Sequence, residues 1–250
     1  MISFTLSNIG KNPITFSTGD LAKQANGSVS VSYGDTVILA TACMSKEPKK
    51  DAGFLPLYVD YQERTYAMGK IPGGFFKREG RPKDIEILSA RLIDRPIRPL
   101  FPKGLTNEIQ IVAMVLSSDG KNDPDILAIN GASCALAISD IPFNGPIGAV
   151  RVVQIGGNFI VNPTYEERQK SAVDLVVVGR DDAVVMLEGQ FCEVDEKTVL
   201  EAVKFAQPFI KEIISLQKKL VAKVGGKKAS VTLTEENQQL KKVLKDKLEP

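Results

Sequence analysis

Two adjacent aromatic residues and a cluster of cations lie within one short stretch of the chain. Phe75 and Phe76 follow two glycines, and Lys77, Arg78 and Arg81 come directly after them. Aromatic rings stack on unpaired nucleobases, and lysine and arginine side chains bind the phosphates between those bases. Taken singly, each residue is better explained by burial of the ring or by an ordinary solvated cation. The combination of glycines, aromatics and cations favours a site for single-stranded nucleic acid.

The residues that follow are predicted to carry this site on a helix. Apolar side chains recur there at helical spacing, which predicts a helix from Asp84 to Asp94. Pro96 is expected to end the helix, and the chain as far as Pro102 is expected to run extended. Residues 77–98 contain seven basic and four acidic residues. We therefore expect a locally positive surface in this part of the chain.

Three arginines in this stretch have two competing interpretations. Several carboxylates lie close to them in sequence: the arginines are Arg91, Arg95 and Arg98, and the carboxylates are Glu79, Glu86 and Asp94. Ion pairing among these side chains is at least as well supported as contact with a ligand.

Composition limits the chemistry that the chain can perform. With 43% hydrophobic and 25% charged residues, the chain has the composition of a globular protein. It contains no histidine, which excludes imidazole as a general base, a zinc ligand or a pH switch. Any metal would be held by oxygen ligands, which favours magnesium or manganese. The absence of a long apolar run and of a cationic leader favours a cytoplasmic protein without a membrane span.

Cysteine usage and charge distribution add two expectations. Cys43, Cys134 and Cys192 show no paired or metal-ligand spacing, and each is expected to be a buried thiol in a reducing compartment. The net charge is only +2, and residues 203–250 alone carry 11 basic and five acidic residues. Residues 1–202 are therefore net acidic, and any contact with nucleic acid in them must be local.

The rest of the chain alternates between strand and helix patterns. Four successive strands are predicted, at 147–155, 159–161, 174–178 and 183–187. Asp195 is the expected N-cap of a helix that runs to Ala206, and Pro208 is expected to open a second helix that ends near Val224.

A further helix is predicted from Asp125 to Ser139, and its middle is made of small residues around Gly131. Small residues allow a helix to lie close to a sheet, and this is the favoured explanation. The alternative is that Asn130 and Gly131 mark a ligand-facing helix start, where backbone N–H groups bind phosphate.

At this point the sequence resembles a known family. Residues 75–82 (FFKREGRP), 86–88 (EIL) and 91–102 (RLIDRPIRPLFP) resemble the bacterial polynucleotide phosphorylase family, and more narrowly the first of its two RNase PH-like cores. Shorter matches are found elsewhere, at 18–22 (TGDLA), 33–37 (YGDTV), 140–143 (DIPF) and 145–148 (GPIG). The resemblance covers nearly the whole chain, and the arginine–proline run is its most specific part.

The resemblance implies a fold and a domain organisation. The expected fold class is α/β (α+β), with an RNase PH-like core of mixed β-sheets packed with helices, similar to ribosomal protein S5 domain 2. Residues 1–224 would form this first core, 225–232 a linker, and 233–250 the start of a truncated all-helical domain. The chain would then be the N-terminal part of a longer protein.

The resemblance also implies an activity and a set of partners. The parent protein would be a 3′→5′ phosphorolytic exoribonuclease, which degrades single-stranded RNA with inorganic phosphate and releases nucleoside diphosphates, reversibly. Its partners would be single-stranded RNA, inorganic phosphate and its own second RNase PH-like core, in a homotrimer and without a membrane. Phe75, Phe76, Lys77, Arg78 and Arg81 would form the constriction that grips RNA. Lys77 stands where arginine is common, so a bidentate phosphate contact is lost there.

Catalysis is expected to lie elsewhere in the parent protein. In the family, the second core binds Mg2+ (or Mn2+) through paired aspartates and holds phosphate in a serine-rich turn. Asp174 matches one acidic position, but residues 163–170 lack the aspartate-rich pattern, and 130–133 (NGAS) is only the nearest stretch to the serine cradle. We therefore expect no catalytic and no metal-binding residue in this chain, which alone would be inactive and would support RNA binding and assembly. Asp174 is interpreted as a structural carboxylate, while Glu188 and Glu193 have no evident partner.

Two rival hypotheses remain open at the level of sequence. The chain could be a self-sufficient RNase PH-type enzyme, which would require a paired-carboxylate site within residues 1–202. It could instead be an assembly scaffold without RNA affinity, in which Phe75 and Phe76 belong to the core of an interface.

Overall fold

Two β-sheets and the helices between them make up the part of the chain that the computed structural model describes, which is residues 1–7, 9–49, 52–73, 80–233 and 247–248. The strands are β1 (Ile2–Leu6), β2 (Ile14–Thr18), β3 (Gly27–Tyr33), β4 (Thr36–Pro48), β5 (Leu57–Gln62), β6 (Asn107–Ser117), β7 (Gly148–Ile155), β8 (Asn158–Val161), β9 (Val173–Gly179) and β10 (Val184–Phe191). The α-helices are α1 (Asp84–Ile97), α2 (Pro124–Ile138), α3 (Tyr165–Arg168) and α4 (Glu196–Val224). Two short 3-10 helices cover Thr65–Met68 and Arg98–Leu100.

The larger sheet has the strand order β1-β2-β3-β4-β6-β5, and only β5 and β6 within it run parallel. The smaller sheet, in the order β10-β9-β7-β8, is antiparallel throughout. Burial alternates residue by residue along β3 and through most of β6, as expected for strands with one face against the core. This mixed architecture confirms the predicted α/β (α+β) fold class.

Helix α2 is buried on all sides between the two sheets. A Cβ atom added at Gly131 would lie 3.0 Å from Cβ of Ala40, so the helix approaches the larger sheet closely. On the opposite side, Nδ2 of Asn130 donates to the carbonyl of Ala149 at 2.9 Å, and the N–H of Ala149 donates back to Oδ1 at 2.8 Å. Close packing is therefore confirmed as the role of the small residues, and the ligand-facing alternative for Asn130 and Gly131 is wrong.

Two helices continue past the prolines that were expected to interrupt them. Pro96 lies inside α1, which passes directly into a 3-10 turn, so the predicted extended run is wrong. The guanidinium of Arg98 holds this turn by donating to the carbonyls of Leu55 and Leu57, each at 3.1 Å. Pro208 likewise lies inside the single helix α4. Long-range bonds and burial of an apolar face offset the hydrogen bond that each proline removes.

The residues after α4 lie against the end of α2. Nζ of Lys228 donates to the carbonyls of Leu136, Ala137 and Ser139 at 2.7–3.1 Å, and burial lowers the pKa of this lysine. A cation at this position is favourable because the carbonyls at a helix C-terminus carry partial negative charge. The division of the chain at 224 and 232 stays a prediction, and of the helix predicted over 233–250 only residues 233, 247 and 248 are described.

The expectation that all three cysteines are buried is correct for only one of them. Cys134 is buried in α2, and burial raises the pKa of its thiol. Cys43 and Cys192 are exposed, because each lies in a strand or turn at a position that faces away from the core. Among the described residues, we find no helix long and apolar enough to cross a membrane.

Candidate RNA-binding site

The residues predicted to bind RNA are only partly covered by the structure. Phe75, Phe76, Lys77 and Arg78 lie outside the described residues, and their role stays a prediction. Arg81 is described, is exposed, and lies just before the first turn of α1. The described residues on either side show how the fold anchors this part of the chain.

The N-terminal side of the segment leaves the larger sheet at the end of β5. The chain turns through the 3-10 helix Thr65–Met68, in which Ala67 is buried. The N–H of Ser118, just beyond β6, donates to the carbonyl of Ala67 at 2.9 Å. The hydroxyl of Tyr61 donates to the carboxylate of Glu63 at 3.1 Å. These contacts fix the backbone before the segment begins.

The C-terminal side is anchored by a buried glutamate in the first turn of α1. Glu86 is 3% exposed. One carboxylate oxygen accepts from the backbone N–H of Lys83 at 2.8 Å, and the other accepts from the backbone N–H of Glu63 at 2.9 Å. The first bond caps the helix, and the second crosses to the end of β5. The expectation that Glu86 pairs with an arginine is not what the structure shows.

The arginines of α1 differ in their partners. Arg98 pairs with Asp94 at 2.9 Å, as one of the predicted pairings required. Arg95 pairs with Glu188 of β10 at 2.5 Å, so the expectation that Glu188 has no partner is wrong. Among the described residues Arg91 has no carboxylate partner, and it lines the clefts on both sides of α1.

A buried cluster of charges lies at the base of the cleft between α1 and the smaller sheet. Arg151, on β7, donates to Asp125 at 2.6 Å and to Asp174 at 2.7 Å. Arg168 donates to the second oxygen of Asp174 at 2.9 Å and also pairs with Asp123. Both oxygens of Asp174 therefore accept from guanidinium groups, which is the structural role that the sequence favours.

The electrostatics of the cluster follow from burial and from the close approach of its carboxylates. Burial, together with the nearby charge of Asp123, raises the pKa of Asp125 to about 7. For Arg151, burial lowers the pKa, but the three neighbouring aspartates outweigh it and leave the pKa raised. The guanidinium therefore stays charged and compensates carboxylates that are largely buried.

These residues do not fit a divalent cation. A metal site needs carboxylate oxygens that are free to coordinate, whereas Asp125 and Asp174 direct oxygens at Arg151. Within the described ranges no group of three or more potential ligands is arranged to hold a metal. The expectation that this chain binds no metal stays a prediction.

One signal in the sequence could have located this cluster. Arg151 is the only charged residue in the stretch GAVRVVQI, which is apolar apart from Arg151 and Gln154. A lone arginine in a buried strand requires a buried carboxylate as its partner. Which carboxylates pair with Arg151 depends on how β7, β9 and α2 pack together, and local periodicity does not predict that packing.

Comparison with known proteins supports the family resemblance. Residues 11–142 match the sequence model of the 3′ exoribonuclease family, domain 1, and residues 145–207 match domain 2 of the same family. A polyribonucleotide nucleotidyltransferase of Sulfurihydrogenibium azorense is 56% identical over 234 residues, and one of Persephonella marina is 53% identical over 235 residues. These matches cover 94% of this chain and 33% of each relative, so the chain spans about a third of the length of these relatives.

Solved structures show the same fold at low sequence identity. Rice Rrp46 superposes with a TM-score of 0.68 at 15% identity, over 86% of this chain and 96% of that chain. An Archaeoglobus fulgidus exosome with RNA bound to its active site gives 0.65 at 20% identity, over 86% and 89%. The resemblance drawn from the sequence motifs is confirmed: this chain belongs to the RNase PH family of 3′ exoribonucleases, and it carries both domains of that family.

Proposed function

We propose that this chain is the first RNase PH-like core of a 3′→5′ phosphorolytic exoribonuclease. The parent enzyme would degrade single-stranded RNA with inorganic phosphate, release nucleoside diphosphates and run in reverse as a polymerase. Residues 1–224 would form the core, 225–232 the linker and 233–250 the start of the helical domain. Relatives that carry the nucleotidyltransferase name at 53% and 56% identity support this assignment.

Within that enzyme, this core binds RNA and supports assembly, and the second core performs the chemistry. One observation carries this division: both oxygens of Asp174 are taken by Arg151 and Arg168. Phosphoryl transfer requires neutralised charge around the reacting phosphate and a bound divalent metal, and these carboxylates are already neutralised by the protein. Mg2+ or Mn2+ would be held by the second core.

Phosphate-dependent RNA degradation tests whether catalysis requires the part of the protein outside this chain. The full-length protein, given poly(A), inorganic phosphate and Mg2+, should release adenosine diphosphate, and omission of phosphate should abolish the release. The 250-residue chain under the same conditions should release none. Chromatography of the nucleotide products measures both outcomes. Robust diphosphate release by the chain alone would instead support the self-sufficient enzyme.

Exposed apolar side chains support the proposed contact with a second core and the homotrimer. Ile85 and Leu88 on α1 are each 57% exposed, and on β10 Leu187 is 44% and Phe191 40% exposed. Of these side chains, Ile85 and Leu88 line the cleft of 330 Å³ between α1 and the smaller sheet, whereas Leu187 and Phe191 lie on the same strand as Glu188 and Gln190 of the cleft wall. Exposed apolar surface of this kind marks protein–protein contacts. The proposed RNA substrate is consistent with a cytoplasmic location.

Arg81 is the described residue that tests RNA contact directly. Arg81→Ala should weaken binding about equally for every RNA sequence, because a phosphate contact carries no base information. The slope of log affinity against log salt concentration should fall by about 0.7, the value expected for one phosphate of a single strand. Fluorescence anisotropy with labelled oligonucleotides at several salt concentrations measures this slope.

The control for Arg81→Ala is Arg180→Ala. Arg180 is also exposed, but it lies in the turn between β9 and β10. An unchanged salt slope for Arg81→Ala would count against the phosphate contact.

A further inference from the structure

The residues that follow α4 remain attached to the core. The backbone N–H of Gly226 donates to the carbonyl of Ile138 at 3.2 Å. Three residues further along, the N–H of Ala229 donates to the carbonyl of Asp140 at 2.7 Å. Residues 225–233, here called the strap, therefore follow the end of α2 and the residues just after it.

Apolar packing and strand pairing hold the far end of the strap. The side chain of Val231 packs against the hydrophobic core. Leu233 forms an antiparallel bridge with Leu105, a residue that is 2% exposed. A flexible linker is characterised by its length and composition alone, whereas the strap is bound to the core at several points.

Lys228 joins the strap to the C-terminus of α2. Its ammonium group has three N–H donors, and Nζ lies 2.9, 3.1 and 2.7 Å from the carbonyl oxygens of Leu136, Ala137 and Ser139. These three residues are buried. The last carbonyls of a helix have no partner within the helix, so Lys228 supplies donors that the helix itself cannot provide.

We propose that Lys228 is a positioning residue for the reaction of the parent enzyme, and this proposal rests on the proposed function. The strap joins this core to the remaining two thirds of a protein as long as the relatives, of which the chain covers 33%. RNA held by this core must reach the reacting groups of the second core, so the two cores need a fixed relative position. By holding the strap on α2, Lys228 fixes the point from which the rest of the parent chain continues.

Lys228→Met tests the proposal in the full-length protein. Methionine keeps much of the apolar stem but removes the ammonium group, so the three carbonyls lose their donor. The backbone N–H groups of Gly226 and Ala229 should then exchange with solvent roughly 10- to 100-fold faster, because a hydrogen bond from a charged group favours the closed strap by about that factor. Hydrogen–deuterium exchange mass spectrometry of peptides that cover residues 225–233 measures this change.

Turnover and RNA affinity separate positioning from general destabilisation. With poly(A), inorganic phosphate and Mg2+, diphosphate release by Lys228→Met should become slower, by up to about 100-fold if the reacting groups are misplaced by about 1 Å. Affinity for a fluorescent poly(A) oligonucleotide, measured without phosphate, should stay at its wild-type value, because the residues proposed to bind RNA are unchanged. Unfolding of the core would instead lower both turnover and affinity.

Lys227→Met is the matched control. Lys227 is exposed, and within the part of the chain that the structure describes its side chain has no hydrogen-bond or ion-pair partner. This variant removes the same charge one position earlier, and it should leave both exchange and turnover unchanged. If Lys228→Met does not fold, Ala229→Pro carries the same test, since proline removes the N–H that donates to Asp140.

The outcomes separate the inference from the function on which it rests. A folded Lys228→Met variant with wild-type exchange in the strap would overturn the role of Lys228, as would equal changes in Lys227→Met. Faster exchange with wild-type turnover would overturn the positioning of the second core. Absence of phosphate-dependent diphosphate release from the wild-type full-length protein would overturn the proposed function itself, and the exchange measurement would then still decide whether Lys228 holds the strap.

Discussion

Replacing Arg151 by methionine is expected to lower the free energy of unfolding by about 3–5 kcal/mol at pH 8, the usual cost of removing one partner from a buried ion pair. Arg151 is 8% exposed and compensates Asp125 and Asp174. Methionine fills similar space but leaves those largely buried carboxylates with less compensation. Chemical denaturation monitored by circular dichroism measures the loss.

The matched control is Arg95→Met, which removes the same group from an exposed pair. Arg95 and Glu188 are 53% and 54% exposed. Pairs of this kind contribute about 0–1 kcal/mol, so Arg95→Met should unfold almost as wild type does. Equal losses for the two variants would show that the buried cluster is not what stabilises this part of the fold.

The pH dependence gives the Arg151 prediction a second signature. The pKa of Asp125 is already raised to about 7 in the folded protein, from a usual 3.8. A folded-state pKa above the unfolded value contributes stability that is complete below about pH 4 and is lost as pH rises through the folded pKa. Loss of Arg151 removes a neighbour that lowers this pKa, so the decline should extend to higher pH. The difference between Arg151→Met and wild type should therefore be larger at pH 8 than at pH 5.

Local periodicity was enough to predict four of the strands and the positions of α1, α2 and α4, but not where α1 ends or that α4 is one continuous helix. The four strands predicted from residue 147 onwards follow from alternation and from glycine-rich turns, since each turn lies beside the strands it joins. The path through Pro96 depends instead on Arg98 binding the carbonyls of Leu55 and Leu57. Leu55 and Leu57 lie more than forty positions before Arg98, and no local sequence pattern predicts these contacts.

The same distinction applies to the site. The stacking and phosphate-binding residues can be named from the sequence because aromatic rings and cations lie side by side in it. Their supports cannot be named, because the bond from Glu63 to Glu86 and the pairing of Arg151 with Asp125 each join two elements of the fold. Residue types predict which groups can contact a ligand, whereas packing decides which groups hold them in place.

Substituting alanine for Phe75 and Phe76 is expected to reduce RNA affinity by about 5- to 160-fold for each ring that stacks on a base, which corresponds to about 1–3 kcal/mol per base. A stacking ring carries no charge and releases no counterion. The slope of log affinity against log salt concentration should therefore stay at its wild-type value, whereas Arg81→Ala should lower that slope. Anisotropy titrations of both variants at several salt concentrations distinguish the two contributions.

Phe54→Ala is the control for this pair, because Phe54 is 73% exposed and lies before β5, outside residues 73–83. It should bind RNA as wild type does. Sedimentation of the Phe75/Phe76 variant then distinguishes a role in RNA binding from a role in assembly. If the variant assembles normally but binds RNA more weakly, the rings stack on RNA, because the variant differs from the wild-type assembly only in lacking them. Loss of assembly with unchanged RNA affinity per subunit would place the two rings in an interface between cores, because a ring buried in protein cannot also stack on a base.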